Sequence, residues 1–145
     1  MAVGDDGSIL TSEDAGATWS TPDSPTSSSI TSVAIAGDGT AVAGYPAGEI
    51  LVGDADDWAI ARTVTGRVTS VVASTDPAWG DGRPDLFVPQ EGVCRLFRNA
   101  GQGRFEDVTA KAGALRNAIA SATCAVWTDF GRGGKPDLLV GCLKG

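Results

Sequence analysis

Short apolar runs, each closed off by Gly, Pro, Asp or Ser, follow one another along most of the chain. Ile30-Thr-Ser-Val-Ala-Ile-Ala36 puts Val33 and Ile35 on one side and small residues on the other. That alternation is the period of a half-buried strand. Gly37-Asp-Gly39 then turns the chain into Thr40-Ala-Val-Ala43, and Tyr45-Pro-Ala-Gly48 turns it into Glu49-Ile-Leu-Val52. Asp54-Ala-Asp-Asp57 leads into a fourth run, Trp58 to Val64. Ahead of these, Ser8 to Glu13 and Thr18 to Thr21 read as two strands, and Pro22 to Ser29 reads as a Ser/Thr/Pro loop. The pattern predicts an all-β chain of short antiparallel strands with tight turns.

The pattern also repeats. Val68-Thr-Ser-Val71 restates Ile30-Thr-Ser-Val33 after 38 residues, and Gly48-Glu-Ile-Leu51 restates Gly7-Ser-Ile-Leu10 after 41. Repeats of about 40 residues, each four strands long, point to the blades of a β-propeller and away from a sandwich. Strands group as two at the start, four, four and two at the end, about three blades' worth of four-stranded antiparallel sheet. A closed propeller needs roughly four to eight blades. The expectation is therefore a partial propeller: a fragment of a longer one, as the abrupt start and the end at Gly145 suggest, or half of a six-bladed ring completed by a second copy in a homodimer.

Within the first pair of strands lies Ser12-Glu-Asp-Ala-Gly-Ala-Thr-Trp19. Asp14 is suited to accept backbone N–H groups across a turn, Gly16 tolerates positive φ, and Trp19 is large enough to pin the hairpin onto what lies beneath. The spacing of Ser12, Asp14, Gly16, Thr18 and Trp19 matches the Asp-box of BNR repeats in sialidase-like propellers. With Ala2 to Thr11 it resembles still more closely the repeats of photosystem II assembly and stability factors. The resemblance implies a structural hairpin between the two outer strands of a blade. Asp54 to Trp58 reads as a shortened version that keeps the Trp.

From Gly66 the repeat changes character. Asp81-Gly-Arg-Pro-Asp-Leu-Phe-Val88 and Arg95-Leu-Phe-Arg-Asn-Ala-Gly-Gln-Gly-Arg-Phe-Glu-Asp-Val-Thr109 resemble FG-GAP or VCBS repeats. Trp127 to Val140 opens another copy, with Asp137 lying 52 residues after Asp85. This resemblance also implies propeller blades. The chain thus divides into residues 1–65, of Asp-box type, and 66–145, of FG-GAP/VCBS type, within one propeller region.

Charge and composition narrow the function. A formal charge of −7 argues against nucleic acid, whose phosphates need a basic face. No apolar run approaches the ~18 residues of a membrane span, and Met1 to Asp6 has no signal-peptide character. With no histidine, Ser-His triads and imidazole metal sites are excluded. Cys94, Cys124 and Cys142 form no metal knuckle and read as small buried apolar residues, with a Cys94–Cys142 disulfide as the other reading.

FG-GAP loops resemble EF-hand loops, which gather six to eight oxygens around calcium. In the first such loop Asp81 and Asp85 fit, and Asp76 lies one residue out of register. In the second, Asp129 and Asp137 fit the ends. The first loop has Pro77 and Trp79 at its first and third positions, and Gly131 and Gly133 replace the middle carboxylates of the second, so calcium and plain Asp-capped turns remain the two readings. Asp54, Asp56 and Asp57 read as a solvated hairpin tip. Arg95, Arg98 and Arg104 stand out in an acidic chain, as a face for an acidic partner or as charges solvating the blade edge. A sialidase-type site would need an arginine trio and a Tyr–Glu pair, and the single tyrosine, Tyr45, sits in a turn. The expectation is a non-enzymatic, extracytoplasmic scaffold or recognition module for a protein or glycan. The alternative is a piece of a larger glycan-processing propeller enzyme whose catalytic residues lie outside this chain.

Overall fold

A computed structural model describes residues 1–74, 83, 85–90, 92–113, 122–131 and 136–142. Among them twelve strands form four antiparallel sheets, built in chain order as two, four, four and two strands. The protein is all-β, with propeller-like blades. The first sheet pairs β1 (Ala2–Val3) with β2 (Ile9–Leu10). The second is a meander of β3 (Ser32–Ile35), β4 (Ala41–Gly44), β5 (Glu49–Gly53) and β6 (Trp58–Thr63). The third repeats it with β7 (Val72–Ala73), β8 (Leu86–Val88), β9 (Arg95–Gly101) and β10 (Arg104–Asp107). The fourth pairs β11 (Ala122–Thr128) with β12 (Asp137–Cys142).

The start of the chain differs from the sequence expectation. The first strand lies at Ala2–Val3, and β2 stops at Leu10. Beyond it a single bridge, Thr11 to Ser20, holds the hairpin. The residues between spend their hydrogen-bonding groups on the turn, so no ladder forms there.

Alternation of side chains sends each inner strand's apolar residues to two different cores. On β4, Ala41 and Ala43 face the first sheet with Ile9, Ile30, Tyr45, Leu51 and Trp58. Val42 faces the other way and joins Ile50, Val68, Val71, Leu86, Val88, Phe97 and Phe105 between the second and third sheets. Phe87 and Leu96 point onward to Cys94, Val108 and Ala122, with Ala125, Trp127, Leu138 and Val140 of the fourth sheet packed against them. Sheets buried on both faces explain why Ala41–Gly44 and Leu86–Val88 are continuous apolar runs.

The repeat seen in the sequence is realised atom by atom. Thr31 donates its N–H to Gly44 O at 3.0 Å, and Thr69 donates its own to Pro89 O at 3.0 Å. The repeat-related Ser32 and Ser70 meet, Oγ to Oγ, at 3.3 Å, and the Val71 N–H donates to Ser32 Oγ at 3.0 Å. The innermost strands therefore lie side by side, β3 against β7 and β7 against β11. Gly44 permits this packing, and Gly48 permits a close approach within the second sheet. A Cβ on Gly44 would lie 2.8 Å from Val71 Cγ1, and one on Gly48, at φ +96°, would lie 2.4 Å from Val64 O.

Candidate functional site

The hairpin after β2 is a closed network. Asp14 Oδ1 accepts the Thr18 N–H at 2.8 Å and the Ser12 hydroxyl at 2.9 Å. Asp14 Oδ2 accepts the Thr18 hydroxyl at 2.6 Å, and Ser12 Oγ accepts the Gly16 N–H at 2.7 Å. These bonds, the Thr18 hydroxyl first, lower the Asp14 pKa from 3.8 to about 2. Trp19 behaves otherwise than expected. It is half exposed and donates its indole N–H to Gly16 O at 3.1 Å, folding over its own turn and not onto the sheet below. Trp58, its repeat counterpart, is the one sunk in a core. At the shortened turn, Asp54 Oδ1 accepts the N–H groups of Asp56 and Asp57.

The carboxylates of the loops after β7 and β11 do not converge among the described residues. Asp76 and Asp81 lie outside those residues. Asp85 is buried, and its Oδ1 accepts the Asn99 N–H at 3.1 Å, tying β8 to β9. Asp129 and Asp137 are exposed, and Asp137 Oδ2 accepts the Gly131 N–H at 3.0 Å, closing a turn. No group of three or more His, Cys, Asp or Glu side chains is placed to hold a metal ion among the described residues.

The three arginines do not form one face either. Arg95 and Arg98 are three residues apart on β9, so strand alternation sends them to opposite sides. Arg95 Nη1 pairs with Asp107 Oδ2 at 3.2 Å, Arg98 lies across from Glu106, and Arg104 is exposed at the hairpin tip. Partial burial opposes charge on Asp107, but the Thr109 hydrogen bonds and the Arg95 and Arg62 charges outweigh it and lower its pKa. No disulfide joins the cysteines among the described residues. Cys94 is buried, as expected of a small apolar residue, whereas Cys124 and Cys142 are exposed.

A cleft that sequence reasoning did not assemble lies between the ends of the second and third sheets. It encloses about 840 Å³ and is walled by the β3–β4 turn (Asp38, Thr40), the β5–β6 turn (Asp54, Asp57) and the β9–β10 turn (Gln102), with Arg83 beside them. Val52 and Phe105 supply its apolar surface. Its polar residues are ordinary turn residues, which no local motif separates from structural ones.

Comparison with known proteins bears on the C-terminal side of this architecture. Residues 78–140 match the family model for the FG-GAP-like repeat. The matched stretch runs from the third sheet through most of the fourth and covers less than half of the chain. No curated protein and no solved structure matches. An FG-GAP-like repeat on four blade-like sheets suggests a propeller-type binding module. Among the described residues no helix is long and apolar enough to cross a membrane.

The hairpin network yields a pH dependence. A carboxyl whose folded pKa lies below its unfolded one stabilises the fold above the unfolded value and loses that effect as pH falls through the folded value. For Asp14 the window runs from about 4 down to about 2. The Trp19 indole N–H resonance is expected to shift across this window in the wild type and to stay flat in Asp14→Asn.

Proposed function

We propose that this chain is a non-enzymatic recognition module, whose cleft between the second and third sheets holds a polar segment of a protein or glycan. One observation carries the reading: a space of about 840 Å³ walled by turns and backed by rigid sheets. That volume falls in the ~300–1,000 Å³ range of ligand sites. Among the described lining residues three carboxylates stand against one guanidinium, which favours a neutral or cationic partner. The turn at Ser12–Trp19, with Asp14 at its centre, serves in this reading as an Asp-box-type structural hairpin. Tyr45 is buried in the first core, so this chain's single tyrosine serves packing in this reading. An extracytoplasmic setting belongs to the same proposal and rests on the kind of repeat alone.

Association with a second copy is supported by a separate observation. Leu139 of β12 occupies the repeat position of Phe87 of β8, 52 residues earlier. Phe87 is 0% exposed beneath the fourth sheet, whereas Leu139 is 44% exposed and Val126 beside it 51%. The bare face is built as a surface for another blade, and a second copy carries blades of the same make.

Two measurements test these readings. Chitotetraose titrated into labelled protein is expected to give saturable shifts at Gly53, Gly101 and Gly103, lost in Thr40→Trp. Sialyllactose is expected to remain intact, and release of free sialic acid would overturn the non-enzymatic reading. Light scattering on a sizing column is expected to return twice the 14.7 kDa chain mass, and a monodisperse monomer would contradict the paired ring.

A further inference from the structure

We propose that the outer edge between the second and third sheets carries a carboxylate-binding site made by Arg62 and Arg95, fitted to an acidic side chain of a partner protein. This goes beyond the cleft reading, because the two places share no residue. Arg62 sits on β6 with its guanidinium carbon 5.7 Å from the centroid of the Phe97 ring on β9. The ring holds the planar group in place. Among the described residues no hydrogen bond uses Arg62's donors, so its N–H edge is available to a planar, two-oxygen acceptor.

Arg95 stands across the same recess. Its Nη1 already bonds Asp107 Oδ2, and Asp107 Oδ1 accepts the Thr109 N–H at 3.0 Å. Asp107 thereby accepts a hydrogen bond on each oxygen, and among the described residues of the recess two guanidiniums stand against one carboxylate, a net positive site in a chain of charge −7. Such a spot attracts an anion that the rest of the surface repels.

Size and surroundings select the ligand. The recess holds about 150 Å³, with the β6 end from Thr63 to Thr65 as its wall. That is below the ~300–1,000 Å³ of small-molecule sites and suits one side chain. Arg95 and Asp107 also border a second recess of about 420 Å³, lined by Val93, Thr109 and Ala110. Val93 is 49% exposed there. A partner strand placing an acidic side chain at Arg62 and an apolar one against Val93 fills both recesses at once, which a free ion cannot do.

The test follows the arginine Nε–H resonances of the purified chain during titration with an acetylated, amidated pentapeptide carrying one glutamate and one leucine. Saturable shifts at Arg62 and Arg95 are expected. Affinity should fall about tenfold or more for the glutamine version of the peptide and for Arg62→Gln, as when a charge-assisted fork is lost. Arg104→Gln should leave it unchanged. Should Arg62→Gln fail to fold, Arg62→Lys keeps the charge without the fork and should bind several-fold more weakly. Equal binding of both peptides, or unchanged binding by the Arg62 variant that folds, would overturn the proposal. So would inorganic phosphate shifting Arg62 as tightly as the peptide, which would mark a free-oxyanion site. The cleft glycines report separately, so loss of this site leaves the cleft reading untouched.

Discussion

The structure depends on how closely one sheet can lie on the next. Where β4 faces the third sheet, a side chain at position 44 would collide with Val71 and Val68, and glycine leaves that space empty. The gap lets Val42 and Ile50 reach Val68, Leu86 and Phe97 in one dry core. It also brings Ser32 to Ser70, so that hydroxyls at equivalent positions of successive repeats bond each other and the Val71 N–H. Each sheet contributes one face to the core before it and one to the core after it. Stability is thus shared between neighbours, as in other repeat proteins.

Sheets used on both faces leave little room for chemistry inside. The buried polar residues serve the framework: Asp85 ties β8 to β9, and the Ser74 hydroxyl accepts the Asp85 N–H. Binding groups are pushed out to the turns and the sheet edges, where loops on a rigid scaffold commonly carry function. Asp38, Asp57 and Gln102 come together at one end because three turns from two sheets open in the same direction. Arg62 and Arg95 come together at the outer edge because β6 of one sheet lies beside β9 of the next.

Much of this architecture was legible in the sequence. The 38-residue repeat marked Ser32 and Ser70 as equivalent positions, and the apolar runs between turns foretold the two four-stranded sheets. What stayed hidden depends on tertiary position. Trp19 and Trp58 look alike in sequence, yet one folds over its own turn and the other fills a core. Cys94 is buried and Cys124 exposed because only one of them has a sheet on its side. The separation of Arg95 from Arg98 was readable from their odd spacing in a strand, once the strand was known to run through both. The cleft was not readable, since its residues belong to three different turns.

The packing of Gly44 against Val71 is the claim to test first. Gly44→Ala, Val71→Ala and the double variant would be compared by thermal or denaturant unfolding. The account predicts that Gly44→Ala is destabilising and that Val71→Ala, by removing the methyl groups in its way, relieves most of that loss. The coupling between the two should reach about 1 kcal/mol or more. Strict additivity would mean that the second and third sheets do not meet at these residues, and the blade packing described here would be wrong.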